Sequence, residues 1–79
     1  MARNIIGEEE LLRLMNIELQ SHEECKHCRF TSIARLNRVD ETGCNWSHAN
    51  LDCSGLPVRP CMRIADHVIA HKKQFFNVS

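Results

Sequence analysis

Cys25-Lys26-His27-Cys28 is a C-x-x-C knuckle, a spacing that turns two thiolate sulfurs toward one ion at about 2.3 Å each, as tetrahedral zinc requires. Three further cysteines follow at positions 44, 53 and 61, so two more ligands are available and one thiol is left over. The first turn of a helix lowers a thiol's pKa, which suits Cys61 to ligation if a helix begins near Pro60. Cys53 qualifies if the chain between the knuckle and Cys53 folds back as a hairpin, because it then lies opposite Phe30 and beside the knuckle. Cys44 does not qualify. It sits at the turn, separated from Cys28 by strand residues that span roughly 35 Å. The expected metal ligands are therefore Cys25, Cys28, Cys53 and Cys61, holding a zinc ion whose closed tetrathiolate shell has a structural role.

The same sulfurs admit other readings. Buried free thiols and disulfides are both alternatives, and C-x-x-C is also a redox motif. In the thioredoxin-like pattern the motif follows a strand and opens a helix, whereas here it follows a helix and is flanked by Glu23 and Glu24, which raise thiol pKa. Haem attachment needs His after the second cysteine, and Arg29 stands there. His22 and His27 flank the knuckle as possible substitutes for one thiolate. His67 and His71 are four apart on one helix face, but Val68 stands where a metalloprotease has Glu.

The elements that must position these groups follow from periodicity. Glu8, Glu9 and Glu10 favour a helix start, and Leu12, Met15 and Leu19, with Leu11 beside them, predict a helix from Gly7 to about Glu24. Arg29 to Val39 reads as a strand with a bulge, Asp40-Glu41-Thr42-Gly43 as a turn, and Cys44 to Cys53 as the returning strand. Ser54-Gly55-Leu56-Pro57 is a loop, after which Met62, Ala65, Ile69 and Phe76 predict a second helix from Pro60 to about Phe76. The expectation is one α+β domain over 1–79, a helix-hairpin-helix (αββα) arrangement with both helices packed on a two-stranded antiparallel hairpin.

Composition bounds the function. Ten basic and ten acidic residues cancel, which removes the bulk electrostatic case for a general nucleic-acid binder. No apolar run approaches the roughly 20 residues needed to cross a bilayer. Residues 1–28 carry a net −3 and residues 29–79 a net +3, so the halves complement each other. Arg59, Arg63, His67 and His71 recur at four-residue steps and form a basic stripe that offers a partner surface, with Arg29, Arg35 and Arg38 as an extension from the hairpin. Trp46 is either a core plug or an exposed anchor. No G-x-S-x-G, phosphate-cradling loop or catalytic constellation is present in the sequence.

The first residues lack the uninterrupted apolar stretch of a secretory signal, so a cytosolic location with reduced thiols is expected. Together these features predict a small non-enzymatic binding or adaptor module stabilised by zinc and facing another protein. The rivals are a thiol redox or cysteine-dependent enzyme and a weak nucleic-acid-binding module.

Overall fold

Leu11, Met15 and Leu19 recur every four residues, the spacing that stacks side chains along one helix face. A computed structural model describes residues 3–79 and places all three in the core of α1, Glu8–Gln20. Leu12 is only partly buried. The helix ends short of the expected Glu24: Ser21 caps it, donating its Oγ to the Glu18 carbonyl at 2.7 Å, and His22 is extended. A 3₁₀ turn over Glu23–Cys25 then leads into the knuckle.

Six elements follow one another: β1 (Asn4–Ile6), α1, β2 (Arg29–Arg35), β3 (Trp46–Asp52), α2 (Arg59–Lys73) and β4 (Phe76–Val78). The class is α+β, with two helices and two small sheets. β2 and β3 form the antiparallel pair, and β1 pairs with β4 in parallel, Asn4 opposite Phe76 and Ile6 opposite Val78. The parallel pair departs from the expected αββα order. Phe76 stands at helical spacing from Ile69, so periodicity extends α2 too far; the chain leaves the helix at Gln74, whose N–H bonds to the His71 carbonyl while the Phe75 N–H bonds to the Lys72 carbonyl. A three-residue strand whose partner is 72 positions away carries no local signal.

The hairpin has irregularities between Phe30 and Ser32 and between Ala34 and Arg35, as the expected bulge requires. Its register differs from the expected one. Leu51 lies opposite Phe30 and Asp52 opposite Arg29, so continuing the register brings Cys53 opposite Cys28 itself. The connecting loop is built on Asp40, whose Oδ1 accepts from the Thr42 hydroxyl and from the backbone N–H groups of Thr42 and Cys44 at 2.6, 2.8 and 3.0 Å. Gly43 completes the turn at φ +87°, a conformation that side chains with a Cβ rarely adopt.

Both helices run along the hairpin. α1 lies over β2, and α2 faces β3, so the core lies between them around Phe30, Ile33, Trp46, Ala49, Ala65 and Val68. A two-stranded hairpin is marginal in water unless such elements cover it. On α2 the inward residues are Cys61, Ala65 and Val68, and Met62 is 48% exposed, so the apolar stripe read from the sequence is rotated by one position. Cys61 takes the core position because a covalent bond to Cys25 draws it inward. Ion pairs Glu8–Arg35 and Glu18–Lys72, both at 3.0 Å, join the acidic and basic halves of the chain. Among the described residues no helix is long and apolar enough to cross a membrane.

Candidate functional site

The knuckle is closed by the Cys28 N–H donating to the Cys25 carbonyl at 3.0 Å, which turns both side chains toward the same end of the hairpin. β3 delivers Cys53 to that end, and the first turn of α2 delivers Cys61. Two disulfides result, Cys25–Cys61 and Cys28–Cys53, with Cα separations of 5.2 and 3.9 Å. All four residues are buried. The structure thus brings together the cysteines expected as zinc ligands but joins them pairwise. A disulfide sulfur is not a thiolate ligand, and among the described residues no group of three or more His, Cys, Asp or Glu side chains is arranged to hold a metal ion. His22 and His27 are exposed, and neither joins the cluster.

Cys44 is the remaining free thiol. It is buried at the turn end of the hairpin, its Sγ 3.3 Å from the Trp46 carbonyl oxygen. Trp46 is a core plug: its indole N–H donates to the Phe76 carbonyl of β4 at 3.0 Å. Asp40, nearby, has its carboxyl held well below the ordinary range, first by the Thr42 hydroxyl and then by the Cys44 N–H.

Arg59, Arg63, His67 and His71 are all exposed on α2. His71 is engaged within the molecule, 3.7 Å from Glu18 Oε1 and edge-on to the Phe75 ring. No ion pair among the described residues takes Arg59, Arg63 or His67. Arg35, expected to extend the stripe, instead binds Glu8 and the Ser79 carbonyl.

The two outer edges of the hairpin differ in a way that sequence reasoning missed. Along β2 the outward backbone groups are occupied by α1: Asn16 accepts from the Phe30 N–H at 2.7 Å and donates to the Phe30 carbonyl at 3.1 Å. Gln20 donates to the Cys28 carbonyl, and Glu8 accepts from the Ile33 N–H. Phe30 and Ile33 therefore turn those groups away from β3. In an antiparallel ladder their partners, Leu51 and Ala49, turn theirs to the opposite edge. Among the described residues β3 has no second strand partner, and no helix or loop backbone group bonds to Ala49 or Leu51.

A groove of about 280 Å³ runs beside this open edge, between β3 and α2, lined by Leu51, Val58, Met62, Asp66 and Ile69 with Phe30 at its floor. Leu56, just before it, is 54% exposed. The only sequence signal for it is the apolar series Val58, Met62 and Ile69 at and after the start of α2, of which Val58 and Met62 are exposed and Ile69 is partly buried.

Compared with protein-family models, with curated proteins and with solved structures, the chain matches none.

Proposed function

We propose that this chain is a small non-enzymatic module that binds another protein by accepting an extended peptide segment along β3. The observation that carries the reading is the asymmetry of the hairpin edges. α1 satisfies the β2 edge with Glu8, Asn16 and Gln20, while on the β3 edge, among the described residues, no helix or loop backbone group bonds to Ala49 or Leu51, which lie beside an apolar groove. An added strand takes its affinity from main-chain hydrogen bonds and its specificity from alternate side chains entering pockets. Here the groove floor receives apolar side chains. Arg59 and Arg63 follow Val58 and Met62 by one position on α2, a rotation of about 100°, which places them on the outer rim. In this reading the helix-hairpin-helix part of the chain is a scaffold, and the cysteines serve to hold it.

The test is selection of displayed random peptides against the folded chain. Recovered sequences should share alternating apolar residues, and binding should protect the Ala49 and Leu51 amides from hydrogen exchange. Met62→Asp should abolish binding and leave the melting temperature unchanged. Failure to recover peptides, or protection confined to another face, would overturn the reading. A thiol that reacts rapidly in the native chain would favour the redox or cysteine-enzyme alternative. Oligonucleotide binding that falls steeply with salt would favour nucleic acid.

A further inference from the structure

We infer that the cysteine cluster is also a metal site: with both disulfides opened, Cys25, Cys28, Cys53 and Cys61 bind one zinc ion as a tetrathiolate. The chain then exchanges zinc for two crosslinks as its surroundings change from reducing to oxidising. Convergence of the sulfurs supports this. Each disulfide contains one sulfur of the same knuckle, and the Cys28 N–H to Cys25 carbonyl bond holds the two knuckle residues in one turn. The remaining two cysteines have Cα atoms 5.2 and 3.9 Å from their knuckle partners, so opening both bonds leaves four thiols at the same end of the hairpin, where a zinc ion with Zn–S bonds of about 2.3 Å would draw them round one centre.

The surroundings suit a closed site. In the crosslinked chain the four residues are between 0% and 4% exposed, a buried setting that suits a closed site, and Cys61 sits at the positive end of the 15-residue helix α2, which favours thiolate charge. Need supplies a further reason. A chain of 79 residues that loses both crosslinks keeps four sulfurs in the middle of a small core, and a structural metal is the staple that replaces them. Oxidising compartments keep disulfides and reducing ones open them, so the same cluster serves in either.

The exchange balances with a low-molecular-weight disulfide as oxidant. The zinc tetrathiolate loses four electrons in forming the two cystines and releases Zn²⁺. Two molecules of glutathione disulfide take those electrons with four protons and leave as four glutathione thiols. Reduction runs the other way, and zinc binding displaces the four thiol protons.

The experiment uses the full chain, reduced with a phosphine and stripped of metal, then titrated with Co²⁺ as a spectroscopic probe. One cobalt per chain with the visible bands of a tetrahedral four-thiolate centre is expected, displaced in full by one equivalent of Zn²⁺; the oxidised chain should bind neither. Glutathione disulfide added to the zinc form should release the metal and restore the 25–61 and 28–53 pairs, read by peptide mapping. Cys44→Ser should leave stoichiometry and spectrum unchanged, and Cys53→Ser should lose the four-thiolate spectrum. A reduced chain that takes no metal, or shows fewer than four thiolates, overturns the inference. Peptide binding at β3 is measured on the oxidised chain and stands or falls separately.

Discussion

The two ends of the hairpin are held by opposite means. At the open end, Cys25–Cys61 and Cys28–Cys53 join the knuckle to α2 and β3 covalently. At the turn end, polar side chains do the joining. Asn45 donates to the Val78 carbonyl and accepts from the Val78 N–H, at 2.7 and 2.9 Å, so one side chain imitates a strand partner for β4. Asn77 donates to the Gly43 carbonyl, Trp46 donates to Phe76, and Arg3 donates to Thr42 and to the Lys73 carbonyl. Crosslinks act largely by restricting the unfolded chain, whereas these hydrogen bonds exchange against water and contribute about 1 kcal/mol each. The open end should therefore dominate stability under oxidising conditions and lose that dominance when both disulfides are reduced in the absence of metal.

Removing one crosslink tests this most directly. Cys25→Ala with Cys61→Ala should cost about 3 kcal/mol, the loop-closure value for the short loop that Cys25–Cys61 closes when the nested Cys28–Cys53 bond is in place. For a domain this small that is roughly 20 °C in melting temperature. Urea denaturation of the oxidised double variant checks it, and a loss under about 1 kcal/mol would mean that the turn end carries the fold.

Trp46→Phe attacks the other end. It removes the bond to Phe76 and part of a fully buried side chain, at an expected cost of about 2 kcal/mol. Hydrogen exchange should show the opening concentrated in β4. Uniform loss across the hairpin would show that the two ends are not separable.

Cys44→Ser should cost about 1 kcal/mol, since a buried hydroxyl can still donate to the Trp46 carbonyl. A destabilisation equal to that of the crosslink variant would make Cys44 part of the staple.

The smallest effect is that of pH. The Asp40 carboxyl titrates below its ordinary range in the folded chain, so the folded state binds fewer protons than the unfolded state as the unfolded carboxyl protonates near pH 4. Its contribution is present above about pH 4 and is lost as pH falls below that. Thermal melts at pH 6 and pH 3 should show a decline that is shallower in Asp40→Asn, with loosening confined to the turn end. An equal decline in both proteins would show that Asp40 carries none of it.

Sequence alone determined what is local or periodic: α1 from its Glu-rich first turn and four-residue leucine spacing, α2 from Pro60 and its apolar stripe, the bulged hairpin from β-branched residues around a Gly43 turn. It also led to the expectation that Cys53 and Cys61 come near the knuckle and Cys44 lies apart; the structure pairs Cys61 with Cys25 and Cys53 with Cys28 and leaves Cys44 free. Tertiary structure decided the rest. The four cysteines bond in pairs, which no spacing encodes, because ligation and crosslinking draw on the same residues. The β1–β4 pair joins the two ends of the chain through three residues each, too short for a period to be read. The β3 edge became a candidate site only because Asn16, Gln20 and Glu8 of α1 close the β2 edge. Those bonds run from helix side chains to strand backbone, and they exist only once α1 lies along the sheet.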